Sequence, residues 1–160
     1  MHRPLAFAAL GLLVVAGQIV GCGTVELGET FVQPSTQLSE SFFYCRIQPD
    51  VIQASGCATG GAGDMGGCHQ VQSSLRLIDT TPVMRPACTG PNMGMLAPGA
   101  VVPPQYMDNF QRVQFTLGPD FASSPIYRRP TGMDSHPRVI FPISAAEAQL
   151  IRDWFATSGP

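Results

Sequence analysis

The chain has 160 residues, of which 12% are charged, and its formal net charge is -2 at pH 7. This charge balance excludes the basic surface of a nucleic-acid-binding protein, so we expect no nucleic acid partner. The length suffices for one domain of ordinary size but not for two independent cores, and the 17 glycines and 15 prolines predict short elements joined by many loops.

The N-terminus has the pattern of a secretion signal. Arg3 precedes an apolar run from Leu5 to Val20 that glycine and glutamine interrupt. A membrane-spanning helix needs about 20 apolar residues, so this shorter, interrupted run predicts a cleaved signal peptide instead. The run ends in Ile19-Val20-Gly21-Cys22, which resembles the bacterial lipobox, and the resemblance implies that Cys22 is lipidated.

This signal divides the chain into three parts. We expect a lipoprotein signal peptide over residues 1–21, a polar, flexible tether over 22–40 and a single domain over 41–160. A lipid on Cys22 would hold the domain at a membrane surface, on the periplasmic side of a membrane or on the cell surface. The alternative is an ordinary secretory signal in which Cys22 is incidental, and in both cases the chain leaves the cytoplasm.

Four cysteines follow the signal. They are Cys45, Cys57, Cys68 and Cys88. In an oxidising compartment an even number permits two disulfides, in three possible pairings, or one disulfide together with a dithiol site. The count alone leaves these alternatives open.

The first half of the predicted domain favours short elements. Large apolar residues at near-helical spacing, followed by Ser55-Gly56 as a stop signal, predict a short helix over about Gln48 to Ala54. Residues 71–82 indicate either a short extended piece or one helical turn. From Pro82 to Pro104 the chain is so rich in proline that a long surface loop is predicted.

A longer helix is predicted over residues 105–117. Tyr106, Phe110, Val113 and Leu117 would lie on one face of it. The end of this segment also alternates as a strand does, and we prefer the helix.

The last predicted element is a helix that follows Ser144-Ala145-Ala146-Glu147. These four residues have the pattern of a capping box, with Ser144 as the cap. Ala148, Ile151, Trp154 and Phe155 come next, at the spacing that puts them on one side of a helix. We expect that side to pack on the core.

The stretch from Gly56 to Gln70 holds Cys57 and Cys68, with His69 directly after the second cysteine. Cys68-His69 is the second half of the pattern for c-type haem attachment, but the cysteines are ten residues apart instead of the usual two. A zinc site would need closely spaced pairs of ligands, which this chain lacks. By itself the stretch is explained most simply by a disulfide that closes a glycine-rich turn.

The C-terminal third carries an ordered set of motifs. Pro125 to Gly132 is followed by His136, then by Val139-Ile140-Phe141, and the final helix ends in Leu150-Ile151-Arg152-Asp153-Trp154-Phe155. This order resembles the end of the cytochrome c-like domains found in exported proteins of Planctomycetes and myxobacteria.

The N-terminal side of the domain agrees with this resemblance. Ile47 to Ile52, followed by Cys57, is similar to the short helix that leads into the first haem cysteine of the same domains. The resemblance covers about Phe42 to Phe155, with gaps in the middle.

The resemblance implies a small, loop-rich, mainly α-helical cytochrome c-like domain that binds one haem c. It implies Cys57 and Cys68 as the thioether attachment points and His69 as the proximal ligand of the haem iron. His136 or Met133 would be the distal ligand. His136 aligns with the histidine of the family and is preferred slightly, whereas a methionine thioether would raise the reduction potential.

Two cysteines, Cys45 and Cys88, are not part of the family pattern. We assign them to a disulfide that joins the first helix to the proline-rich loop and stabilises the domain. If Cys45 were bonded to Cys57 and Cys68 to Cys88, the domain would be a haemless descendant with the same fold.

The predicted function is therefore single-electron transfer by an exported, lipid-anchored cytochrome c-like protein. Its partners would be a membrane surface, through the lipid, and a redox protein. No nucleophile or pair of carboxylates suggests acid–base chemistry, so we expect no catalytic site of its own. The apolar side of the final helix would pack against the haem or the neighbouring core. The alternative is a haemless, disulfide-stabilised structural or interaction lipoprotein.

Overall fold

The computed structural model describes residues 38–59, 68–71 and 74–157, without the side chains of Cys68 and Val71. The predicted signal peptide, Cys22 and nearly all of the predicted tether lie outside the described residues. Within these ranges the structure contains no helix with the length and hydrophobicity needed to cross a membrane.

The first helix is longer than the sequence predicted. Helix α1, Glu40–Phe42, continues without a break into a π-helix, Phe43–Gln53. The chain turns helical this early because the Ser39 hydroxyl accepts a hydrogen bond from the Phe42 amide at 3.2 Å, which caps the N-terminus. Pro49 lies inside the π-helix, where its missing amide proton removes one bond from the helical ladder.

Short elements follow, up to the long loop. Helix α2 is Cys68–Val71, strand β1 is Cys88–Thr89, and strand β2 is Met95–Leu96, with a 3-10 turn at Pro91–Met93 between the strands. The two strands pair antiparallel, with Cys88 opposite Leu96. This hairpin lies in the segment predicted as a loop, because strands of two residues are too short to produce an alternating pattern.

Three helices complete the fold. They are α3, Pro104–Gln114, α4, Pro125–Arg128, and α5, Ala146–Ala156. Helix α3 confirms the preference for a helix in this segment, and its predicted face is buried at Tyr106, Phe110 and Val113. The domain is thus mainly α-helical, as predicted.

The capping box predicted for the last helix is wrong in its position. The residue that caps α5 is Ala145, not Ser144, and no side chain bonds to the free amides there. The Ala145 amide donates to the carbonyl of Pro142 at 3.0 Å, so residues 142–145 form a turn. The helix therefore begins only after this turn, at Ala146. The predicted apolar side is correct, because Ala148, Ile151 and Trp154 are fully buried.

The core forms where the π-helix packs against α3 and α5. One aromatic residue from each element meets there: the ring of Phe43 lies 5.2 Å from Phe110 and 5.3 Å from Trp154, measured between centroids. The Trp154 indole also donates to the carbonyl of Ser39 at 3.0 Å. The last helix is thereby fixed to the start of the first.

A disulfide joins Cys45 in the π-helix to Cys88 in β1. This confirms the assignment of that pair. Cys57 carries a free thiol, so none of the three bridges to Cys57 that the sequence left open is formed. The alternative pairing of Cys45 with Cys57 is therefore wrong.

A buried polar network lies beside the aromatic core. The Asn109 amide group in α3 donates to the Gln48 side chain at 3.1 Å and to the carbonyl of Ile78 at 2.8 Å. Its oxygen accepts from the Ile78 amide at 2.7 Å. Gln48 in turn donates to the Thr80 hydroxyl at 3.0 Å. Asn109 thus fixes residues 78–80 against the π-helix.

Replacing Asn109 with alanine is expected to lower the free energy of unfolding by about 2–3 kcal/mol, because Gln48 and the Ile78 backbone would be left without their buried partner. Urea unfolding measures this loss. Gln111 is exposed on the same helix, and its replacement with alanine should change stability by less than about 0.5 kcal/mol. Equal effects of the two substitutions would contradict the role of the network.

Candidate functional site

A cavity of about 330 Å³ opens between the π-helix, α2 and the loop that follows α4. This size lies within the range of small-molecule and cofactor sites. Most of the lining is apolar, and the larger apolar side chains are Val51, Ile52, Leu75, Ile126, Ile140 and Phe141. The cavity therefore suits a ligand with a large apolar surface.

Two histidines from distant parts of the sequence line this cavity together. His69 comes from α2 and His136 from the loop after α4. Their ring centroids are 6.2 Å apart, and their planes differ by 19°. The fold therefore brings together two of the ligands that the resemblance implied.

The orientation of His69 is fixed by the backbone that follows it. Its Nδ1 atom lies 3.1 Å from the carbonyl of Leu75, and its own carbonyl accepts from the Leu77 amide at 2.7 Å. A carbonyl oxygen can only accept, so Nδ1 is the nitrogen that carries the proton. In the neutral ring, Nε2 then carries the lone pair.

The ring of His136 also contacts a backbone carbonyl through Nδ1. Its Nδ1 atom lies 2.6 Å from the carbonyl of Arg138, which again assigns the lone pair of the neutral ring to Nε2. The loop around it is held at both ends. Arg128 and Asp134 form a paired contact through two bonds of 2.8 Å, and the Ile140 amide donates to the carbonyl of Pro130 at 2.8 Å.

Gly132 makes this loop conformation possible. Its φ of +77° lies in the left-handed region, and a Cβ there would approach the Val139 side chain to 2.7 Å. Only glycine both adopts this positive φ readily and leaves room for the Val139 side chain. The glycine within the motif from Pro125 to Gly132 is thus part of what positions His136.

Burial and the electrostatics of the cavity favour the neutral form of His69. Burial lowers the pKa of His69 below its usual value, and the electrostatic interactions with His136 and Arg129 act in the same direction. The hydrogen bond to Leu75 opposes this shift without reversing it. The neutral ring is the form that binds metals.

The thiol of Cys57 also lines the cavity. It follows the π-helix, and its amide donates to the carbonyl of Ile52 at 3.0 Å. Burial raises the pKa of this thiol to about 11, although the charge of Arg138 opposes the rise. Cys57 is therefore a protonated thiol at neutral pH, and it lines the same cavity as the two histidines.

The other predicted site residues are placed as follows. The backbone of Cys68 begins α2, one residue before His69, but its side chain lies outside the described residues. Met133 is 48% exposed and does not line the cavity. Of the two candidate distal ligands, His136 is the one that lies opposite His69. Trp154 and Ile151 of the final helix pack in the core and do not reach the cavity lining.

Sequence reasoning missed two arginines. Arg129 and Arg138 both line the cavity, one on each side of His136 along the chain. Their only sequence signal is their closeness to that histidine. In the part of the chain that the structure describes, no three side chains of His, Cys, Asp and Glu converge to hold a metal ion by themselves.

No protein-family model matches the chain, and neither the curated proteins nor the solved structures contain a significant match.

Proposed function

We propose that this protein is an exported, lipid-anchored cytochrome c-like protein that binds one haem c and transfers single electrons to a redox partner. The observation that carries this proposal is the pair of histidines across an apolar cavity. Two imidazoles that bind one metal from opposite sides, through bonds of about 2 Å, have ring centres roughly 6 Å apart. The observed separation of 6.2 Å fits this arrangement.

The hydrogen bonds of the two rings support the same conclusion. A histidine that binds a metal usually donates its other ring proton to a carbonyl or carboxylate, which fixes the ring and makes it a better ligand. His69 and His136 both make such a contact with a backbone carbonyl. One such contact is common in proteins, but two on neighbouring rings in one cavity are what two histidines that hold the same metal would make.

The apolar lining of the cavity supports the same proposal. Two imidazoles provide only two ligands, so they match a metal whose other ligands come from a macrocycle. The apolar side chains of Val51, Ile126 and Phe141 would cover the faces of such a ring and exclude water. The haem itself would supply the one-electron chemistry.

Cys57 is the side chain that would hold the cofactor covalently. Its thiol is free and lines the cavity. Addition of the S–H across a vinyl group of the porphyrin forms a carbon–sulfur bond, with the proton going to the neighbouring carbon, and it requires no oxidant. Cys68, which precedes His69 in the chain, would provide the second thioether.

Intact mass tests the proposal directly. The protein is expressed with its own signal and a cytochrome maturation system, extracted from membranes and denatured. We expect the mass of one haem to remain on the chain, and the variant with both Cys57 and Cys68 replaced by alanine to lose it. A wild-type chain with an unmodified Cys57 thiol and no Soret absorption would contradict the proposal and favour the haemless lipoprotein.

A further inference from the structure

The two residues of the disulfide differ in their access to solvent. Cys45 lies in the π-helix and is fully buried, whereas Cys88 in β1 is half-buried. Cys88 also lines a surface groove of about 480 Å³, well separated in its lining residues from the cavity of the histidines. Thiol–disulfide exchange depends on access to one of the two sulfurs. The groove therefore makes this disulfide reachable at its Cys88 end.

The lining of this groove carries an excess of positive charge. Its charged residues, within the described part of the chain, are Arg46, Arg85 and Asp50. The Asp50 carboxylate accepts from Arg46 at 2.7 Å and from Arg85 at 3.2 Å, so one carboxylate is shared between two guanidinium groups. A thiolate is the nucleophile in disulfide exchange, and a positive surface favours its approach.

Backbone contacts hold both guanidinium groups in place. Arg46 donates to the carbonyl of Asn92, in the turn between β1 and β2. Arg85 donates to the carbonyl of Cys45 and also lines the groove together with Cys88. A positive charge thus lies near both of the residues whose sulfurs become negative when the disulfide is broken.

We propose that Cys88 is a thiol–disulfide exchange site of the folded protein, and that Arg46 and Arg85 attract the external thiolate that reacts there. The thiolate attacks the sulfur of Cys88 and forms a new sulfur–sulfur bond. The electron pair of the broken bond leaves with the sulfur of Cys45, which takes up a proton from water. A second external thiol then attacks the external sulfur of the mixed disulfide and releases Cys88. In total, two external thiols are oxidised to a disulfide and the two cysteines are reduced.

The position of the adduct tests which sulfur reacts. Accessible free thiols of the full, cofactor-free chain in detergent are blocked with N-ethylmaleimide. The chain is then incubated with glutathione, exchange is stopped with acid, and peptic peptides are analysed by mass spectrometry. We expect roughly tenfold more glutathione on Cys88 than on Cys45, and similar amounts on both cysteines when urea unfolds the chain. Equal amounts on both in the folded chain, or an adduct mainly on Cys45, would overturn the proposal.

Two small thiols of opposite charge, 3-mercaptopropionate and cysteamine, test the part of the arginines. Each rate of reduction in the folded chain is divided by the rate in the unfolded chain, which corrects for the different reactivities of the two thiols. We expect the corrected rate to be higher for the acidic thiol, and Arg85→Gln to reduce this advantage roughly threefold. Adducts confined to Cys88 show that the variant reacts in its folded form. Arg46→Gln takes its place if Arg85→Gln unfolds.

Arg112→Gln is the matched control. Arg112 is exposed, lies outside the lining of the groove and also donates to a backbone carbonyl, that of Arg76 at 3.1 Å. Its variant should keep the wild-type advantage of the acidic thiol. The wild-type advantage in a folded Arg85→Gln variant, or equal corrected rates for both thiols in the wild type, would overturn the part assigned to the arginines. These experiments use no haem, so their failure would leave the proposed function in place.

Discussion

Replacing His69 with alanine is expected to abolish the low-spin absorption spectrum of the haem-loaded protein. The reason is that the proposed iron ligand is the His69 ring, which the Leu75 carbonyl and the Leu77 amide hold in the cavity. Absorption spectroscopy of the purified oxidised and reduced forms measures the change. Added imidazole should restore the low-spin spectrum, because it fills the space that the lost ring leaves.

His136→Ala and Met133→Ala then identify the second ligand. We expect His136→Ala to leave a high-spin haem with one open position, and Met133→Ala to have the wild-type spectrum, because Met133 is 48% exposed and outside the cavity lining. The reverse result would assign the distal position to Met133. An unchanged spectrum in His69→Ala would exclude His69 as a ligand.

Removing the disulfide should be the most destabilising change outside the cavity. Cys45 and Cys88 are 43 residues apart, and closing a loop of that length stabilises the folded state by about 4 kcal/mol in the loop-entropy estimate. The double variant Cys45→Ala/Cys88→Ala is therefore expected to lose about this much free energy of unfolding, measured with urea on the cofactor-free protein.

Cys57→Ala is the control for this measurement. Its thiol is free, so its loss removes only a partly buried side chain and should cost about 1 kcal/mol or less. If Cys57→Ala destabilised the protein as much as the double variant, Cys57 would be in a disulfide in solution. In that case the site would lack the thiol that the proposed attachment needs.

The helices could be predicted where one side of the helix is buried. The spacing of Tyr106, Phe110 and Val113 was sufficient for α3, because burial of one face is a local, periodic requirement. The start of the first helix was placed too late, because the Ser39 cap and the packing of the aromatic residues after it extend the helix toward the N-terminus. The position of the last cap depended on a turn at Pro142 that leaves no periodic signal.

Sequence motifs predict residues for the candidate site, but not the geometry that brings His69 and His136 together. His69 and His136 were named from motifs that lie far apart in the chain, and periodicity says nothing about whether such residues meet. Their meeting depends on the left-handed Gly132 and on carbonyl contacts that the sequence does not display. The two arginines of the lining, Arg129 and Arg138, were missed for the same reason. The residue type alone does not show whether an arginine side chain lines a cavity or lies in solvent.

The disulfide also changes the covalent topology of the chain. Residues 45–88 form a closed ring, and both Cys57 and His69 belong to that ring, whereas His136 lies on the linear segment after it. A single backbone cleavage between residues 46 and 87 would therefore release no fragment until the disulfide is reduced. A metal held by His69 and His136 would act as a second cross-link, from the ring to the C-terminal segment, so loading the cofactor would add a bond between two parts of the molecule that are otherwise held together by packing and by hydrogen bonds such as that from Asn109 to Gln48.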